Sequence, residues 1–376
     1  MHFVCSLDSL RKTIAIVERA ISTRTSTPIL DHILVTVTDT AIHFRATDLD
    51  ISIEAVLESA HVVATGSTLI HGKTLSTILA KCAADQVDIQ LGSSGKLSIA
   101  AGSTHFELLS GPVADYPDPI SATYFSEFTL SADVLGHLIR QTIFSVSFDE
   151  TKQFLNGVLI KSEAQSITFV STDGYRLSIR EDVLSVTTPS FSTIVTYRGL
   201  NELGKIVSSL DPVSPILFQV GEAHIQVKGA HFTLTSRIIK AQFPDFRQVI
   251  PAHSHFHYTV SRGAMLTALE RASIIAAGSK HIIRLSFDSH EMGIKASAPS
   301  LGQFRESLPV TCVSGEGGAT MSFNVKLILD GLRHVESDDI HILFNQGVSP
   351  CIIRPVHSDH FTYVVMPIRT SDIPVD

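Results

Sequence analysis

Apolar and polar positions follow the same plan three times along this chain. Phe3-Val4-Cys5-Ser6, Phe128-Thr129-Leu130-Ser131 and Tyr258-Thr259-Val260-Ser261 each alternate like a half-buried strand and end on serine, a favoured residue at a helix start. Behind them the apolar spacing changes to three and four: Leu7, Leu10, Ile14 and Val17; Val134, Leu138, Ile139 and Ile143; Met265, Leu266 and Leu269. The serines lie 125 and 130 residues apart. His-Phe recurs at 105–106, 231–232 and 360–361, spaced by 126 and 129, each time inside an alternating late strand. Those histidines therefore read as repeat positions rather than metal ligands. Strand-to-helix passages at Leu69–Leu79, Ile194–Val207 and Met321–Leu332 give every repeat a second helix.

The pattern predicts an α+β protein of three repeated domains, 1–125, 126–253 and 254–376, the last with a short tail at 370–376. Tyr116-Pro117-Asp118 and Phe243-Pro244-Asp245 close the first two repeats, because proline stops a strand and aspartate favours a turn. The helices are expected at 8–20, 73–82, 133–146, 198–208, 262–277 and 325–334. A length of 376 residues independently calls for two or three domains. Hydrophobic content of 44% with 18% charged residues describes a folded chain. Cys5, Cys82, Cys312 and Cys351 form no C-x-x-C pair, which argues against zinc or a disulfide framework. Without a leader or a bilayer-length apolar run, the expected location is the cytoplasm, with no membrane partner.

Charge adds a second asymmetry. The net charge is −8, yet the six predicted helices hold twelve basic residues (Arg11, Lys12, Arg19, Lys73, Lys81, Arg140, Arg198, Lys205, Arg262, Arg271, Lys326, Arg333) against Asp8, Glu18, Asp133, Glu202, Glu270 and Asp330. One basic helical face is commonly just solvated. Six biased alike in an acidic chain fit a surface that meets phosphates without reading sequence. No base-reading signature accompanies them.

Two stretches imitate enzyme motifs. Gly66 to Thr74 ends in Gly-Lys-Thr but has five intervening residues where a phosphate loop needs four, and Thr68-Leu69-Ile70 reads as strand. His253, His255 and His257 alternate as metal ligands do, but they fall in the expected linker before the third repeat. A DNA-modifying or nucleotide-using enzyme is thus the weaker alternative. A peptide-binding repeat scaffold that does not encircle DNA is another.

Phe154-Leu155-Asn156-Gly157-Val158 and Ser171-Thr172-Asp173-Gly174-Tyr175-Arg176-Leu177 resemble the central domain of bacterial DNA sliding clamps, the beta subunit of DNA polymerase III. Arg24 with Pro28-Ile29-Leu30, Thr47-Asp48-Leu49, Tyr116-Pro117-Asp118, Phe243-Pro244-Asp245-Phe246 and Val364-Val365-Met366-Pro367 follow in family order. The resemblance implies a ring-shaped homodimer around duplex DNA, with two helices of each domain inside and antiparallel sheets outside. It implies no catalytic residue, metal or cofactor. The implied partners are the replicative polymerase, the clamp loader, other polymerases and repair proteins, each bound through a short peptide. The peptide pocket implied is Leu155, Thr172, Gly174, Tyr175, Arg176, Leu177, Pro244, Val249, Val364, Val365, Met366 and Pro367, with Arg176 holding a carbonyl or carboxylate. DNA contacts fall on Arg24, Lys73, Arg198, Lys280 and Arg284. The dimer edge falls on Lys96, His105, Phe106 and Leu108 against Ile274 and Ile275, with Glu306 the carboxylate in the facing segment. Departures from the family are Gln248 in place of arginine, Tyr175 in place of histidine, Pro350 after Ser349, and Gln153 and Phe154 in place of tyrosines.

Overall fold

The computed structural model describes residues 1–21, 27–315 and 318–369. Arg24 and the tail 370–376 lie outside them. Each repeat opens as its pattern requires, on a strand that runs straight into a helix. Ser6, Ser131 and Ser261 all cap: their hydroxyls accept from the backbone N–H of Ser9, Val134 and Ala264 at 3.4, 3.3 and 3.4 Å. The helices are α1 Leu7–Val17, α2 Gly72–Lys81, α3 Ala132–Arg140, α4 Tyr197–Val207, α5 Arg262–Ala276 and α6 Val325–His334. The strand Gly66–His71 passes directly into α2, so the Gly-Lys-Thr stretch forms no phosphate-binding loop.

The expected helix 133–146 stops at Arg140. Thr142 leaves helical geometry (φ −121°, ψ −40°) and its hydroxyl donates to the Leu138 carbonyl at 2.6 Å, after which a short 3-10 turn, Ile143–Ser145, follows. His257 also departs from expectation. It belongs to the strand Phe256–Ser261 rather than a linker, with Nε2 at 2.8 Å from Nδ1 of His341.

The chain packs as two compact units, Met1–Gly136 with Arg198–Ile239, and His137–Tyr197 with Lys240–Asp376. The second repeat is shared between them because its last strand pairs with the first repeat. In the first unit, Phe232–Ile239 lies antiparallel to Ile51–Leu57, with Phe232 opposite Ala55 and Ser236 opposite Ile51. That sheet runs on through Ile42–Thr47 and His32–Val37 to Gly66–His71. A second sheet orders Ala60–Ala64, His2–Ser6, Gln86–Leu91, Lys96–Ala101 and Thr104–Leu109, which leaves Thr104–Leu109 at an edge.

The second unit repeats the device. Phe361–Val365 pairs with Arg176–Thr196, with Arg176 opposite Val365 and Arg180 opposite Phe361. Its other face of core is a sheet of four strands ordered Gly302–Pro309, Glu291–Ala298, Ile282–Phe287 and Ala319–Asn324. Phe256, Tyr258, Phe287, Phe344, Met265, Leu269 and Leu332 are among the side chains buried where α5 and α6 meet these sheets.

Candidate functional site

The long strands Gly157–Thr172 and Arg176–Thr196 meet at a tight turn, Asp173-Gly174-Tyr175. Gly174 sits at φ 92°, where a side chain is disfavoured. Asp173 Oδ1 accepts from the N–H groups of Tyr175 and Arg176 at 2.9 and 3.0 Å, and Thr172 Oγ1 accepts from Gly174 N at 3.0 Å. The end of the final strand joins the turn through Met366 N, which donates to the Tyr175 carbonyl at 2.9 Å. A third segment is the 3-10 turn Phe246–Val249, capped by Asp245, whose Oδ1 accepts from Arg247 N at 3.2 Å.

These segments enclose a cavity of about 180 Å³ lined by Leu155, Thr172, Gly174, Arg176, Leu177, Phe243, Pro244, Asp245, Phe246, Val249, Val364 and Met366. Nine of the residues implied by the resemblance are therefore brought together. Tyr175, Val365 and Pro367 are not among the walls. Val364, opposite Leu177, lines the cavity with it, whereas Val365 is wholly buried in the core and Tyr175 is 68% exposed at the turn's tip. Phe243, Asp245 and Phe246 were missed as lining residues, although they flank Pro244 in the very motif that ends the second repeat.

Arg176 turns inward. Its Nε donates to Asp173 Oδ2 at 3.0 Å, Nη1 to Asp330 Oδ2 at 2.6 Å and Nη2 to the Phe144 carbonyl at 2.8 Å. Each of the three nitrogens has a partner within the chain, so Arg176 braces the turn to α6 and to the 3-10 turn Ile143–Ser145, with a second N–H remaining on each of Nη1 and Nη2. Phe144 stacks on His334 with centroids 3.9 Å apart and 6° between planes. Burial lowers the His334 pKa, which favours the neutral imidazole.

Most helical arginines are likewise engaged. Arg11 donates to the carbonyls of Leu79 and Cys82 at 2.7 and 2.5 Å, and Arg262 to those of Ser337 and Leu332 at 2.8 and 3.3 Å. Such donors satisfy carbonyls that a helix end leaves free. Arg198 pairs with Asp48 at 2.5 Å, Arg271 with Glu306, and Arg333 with Glu270 at 3.0 Å. Among the described residues, Lys73, Lys81 and Lys326 make no ion pair. Lys280, at φ 55°, is exposed. Arg284 lies on the sheet face turned away from α5, since its neighbours Ile283 and Leu285 are buried in the core with α5.

At the expected dimer edge, Phe106 and Leu108 are half-buried on the edge strand, His105 is exposed, and Lys96 pairs with Glu107 at 3.0 Å. Leu109, beside them and outside the expected edge residues, is 85% exposed. Ile274 is exposed and Ile275 partly buried against the core. Glu306 is held by Arg271, which lowers its pKa.

Models of the N-terminal, central and C-terminal domains of the DNA polymerase III beta subunit match residues 1–120, 129–245 and 247–369. The chain belongs to this family. It is 28% identical to the beta sliding clamp of Bacillus subtilis over 98% of this chain and all of that protein. Identity to the Escherichia coli beta sliding clamp is 27%, over 98% of this chain and all of that one. The crystal structure of the Bacillus subtilis DNA polymerase sliding clamp matches with a TM-score of 0.93 at 28% identity, covering 98% and 99% of the two chains. Against that family background, Gln248 is tied back to its own turn, Nε2 donating to Asp245 Oδ2 at 3.1 Å. Among the described residues no helix is long and apolar enough to cross a membrane.

Proposed function

We propose that this chain is a cytoplasmic, non-enzymatic processivity clamp that closes as a homodimer around duplex DNA and tethers the replicative polymerase, clamp loader and repair proteins through short peptides. The observation that carries the reading is the match of all three beta-subunit domain models in order, together with an apolar cavity assembled from the Thr172–Leu177 turn, the Phe243–Val249 segment and the Val364–Met366 strand end. Domain limits of 1–125, 126–253 and 254–376 follow the repeat period. Leu155, Leu177, Phe246, Val249, Val364 and Met366 receive the peptide's apolar side chains, while Arg176 keeps the turn in place.

Ion pairs within the chain shape how DNA is met. On the helices, arginine forks are engaged by carbonyls and carboxylates within the chain, and the helical cations left without an ion pair among the described residues are Lys73, Lys81 and Lys326 on long flexible stems. Such point charges give mobile, screened phosphate contacts suited to sliding. Closure uses two sheet-edge strands, Thr104–Leu109 of one copy and Gly302–Pro309 of the next, with Phe106, Leu108, Leu109 and Ile274 as apolar contacts.

Protein loaded on circular DNA should survive a high-salt wash and leave when the circle is cut. Salt-sensitive loss from circles and linear DNA alike would sink the ring. Closure has its own test: Phe106→Ala should give monomers at low micromolar concentration, since truncating a buried aromatic costs about 3–5 kcal/mol, and an unchanged dimer in sedimentation would move the interface elsewhere.

A further inference from the structure

Three cations stand in direct cross-strand register on one face of the four-stranded sheet of the second unit. Arg284 is opposite Lys295, and Lys295 is opposite Arg305. Directly opposed like charges are destabilising. Strand spacing puts the row's ends about 10 Å apart. The buried residues of these strands, among them Ile283, Leu285, Ile294 and Ala296, point to the other face, where α5 packs. Among the described residues none of the three cations makes an ion pair. Arg305 donates to the Gln303 side-chain carbonyl at 3.1 Å, and the one carboxylate on this face of the central strand, Glu291, is at its far end opposite Pro309. Glu306, the nearest acid on the edge strand, faces α5 and is held there by Arg271. Arg305 lies on the strand used above for closure, but strands pair through backbone in the plane of the sheet whereas its side chain stands on the sheet's face, so among the described residues of one copy the row has no counter-charge and invites an anion from elsewhere.

The row is continuous with the cavity. Two residues beyond the lining residue Met366, Ile368 N donates to the Ser322 carbonyl at 2.7 Å, and Ser322 is the cross-strand partner of Arg284. Arg369 follows, exposed. A chain leaving the cavity along Pro367 and Ile368 thus arrives at the row within a few residues. We propose that Arg284, Lys295 and Arg305 form an acidic-segment subsite: a partner peptide anchored in the apolar cavity extends its Asp- or Glu-rich flank across these three strands. This rests on the peptide-pocket reading above. DNA, the contact that the resemblance implied for Arg284, is disfavoured as the occupant of the row, because the row is on the sheet face opposite the helix α5.

The test uses the full-length protein and two synthetic peptides that share one apolar anchor and differ only in an acidic or an uncharged flank, with calorimetry at low and high salt. The acidic flank should bind about 5- to 10-fold tighter at low salt, with the advantage lost at high salt. Lys295→Gln/Arg305→Gln should remove that advantage and leave the uncharged peptide's affinity unchanged. Equal binding of the two peptides to the unaltered protein, or an advantage that survives the double substitution, overturns the proposal. A chain shortened by residues 370–376, which carry Asp372 and Asp376, should show the same advantage. If the advantage appears only in that shortened chain, the row belongs to the protein's own carboxylates, and the proposal is overturned in their favour. Failure of both peptides to bind at all would instead count against the pocket itself.

Discussion

The turn Thr47–Ile51 of the first unit and the turn Thr172–Arg176 of the second are built from the same hydrogen bonds. Thr47 Oγ1 donates to the Ile51 carbonyl and accepts from Leu49 N at 2.8 and 3.1 Å; Thr172 Oγ1 does the same with Arg176 and Gly174 at 2.6 and 3.0 Å. Asp48 and Asp173 each accept two backbone N–H groups, and each holds a guanidinium, from Arg198 and Arg176 respectively. Arg237 N reaches the Asp50 carbonyl at 3.0 Å as Met366 N reaches that of Tyr175 at 2.9 Å. One frame therefore occurs twice, with different residues at its mouth. Where the second unit has Met366 beside Tyr175, the first has Arg237 paired with Asp50 at 3.3 Å. Where the second has Phe243-Pro244, the first has Tyr116-Pro117, pinned by the Tyr116 hydroxyl to the His32 and Arg45 carbonyls at 3.2 and 3.3 Å and by Arg45 to the Pro117 carbonyl at 2.7 Å. The backbone frame comes from the repeat; the apolar mouth comes from a handful of substitutions upon it.

The largest separation of the two frames is expected from their arginines. Arg176→Ala removes a guanidinium only 12% exposed and frees two carboxylates and a carbonyl, so it should cost about 2–4 kcal/mol in urea denaturation and weaken peptide binding with it. Arg198→Ala removes one that is 40% exposed and should cost about 1 kcal/mol without touching peptide affinity. Equal losses would mean that Arg176 is no brace.

A smaller effect is expected at the mouths. Met366→Ala should weaken a peptide from the organism's own replicative polymerase by about 1–3 kcal/mol, the range for an apolar anchor contact. Arg237→Ala, its counterpart, should leave that affinity within about 0.5 kcal/mol. Undiminished binding by the methionine variant would place the partner site elsewhere.

The turns' tips give the smallest effect and opposite signs. Leu49 occupies φ 75° and Gly174 φ 92°. A Cβ at Gly174 would meet nothing within 4 Å, so Gly174→Ala should lose about 1 kcal/mol through backbone torsion alone. Leu49→Gly should be neutral or gain up to about 1 kcal/mol, because the leucine already bears that strain. Thermal unfolding of the pair checks the signs, and a loss at both positions would break the comparison.

The three-fold plan was legible from the sequence because its signals are local. Serine caps act over three residues, the Asp-Gly turn closes on itself, and apolar spacing marks helix and strand faces whatever they later meet. Nine lining residues of the cavity came from motifs for the same reason, since a turn and a strand end carry their neighbours with them. What only the tertiary structure decided is the pairing of distant groups. Arg176 reads as a free ligand-holding cation until Asp330, 154 residues away, is seen against it. Arg198 reads as a phosphate contact, and only the fold shows Asp48, 150 residues away, held against its Nε. Helix α3 ends early at Thr142, whose hydroxyl donates back to the Leu138 carbonyl and whose own carbonyl accepts from the Ser171 hydroxyl, 29 residues on. Val364 and Val365 are adjacent in the Val-Val-Met-Pro motif, yet one lines the cavity and the other fills the core. Local periodicity fixes which faces exist, and packing alone fixes which charge or surface each face meets.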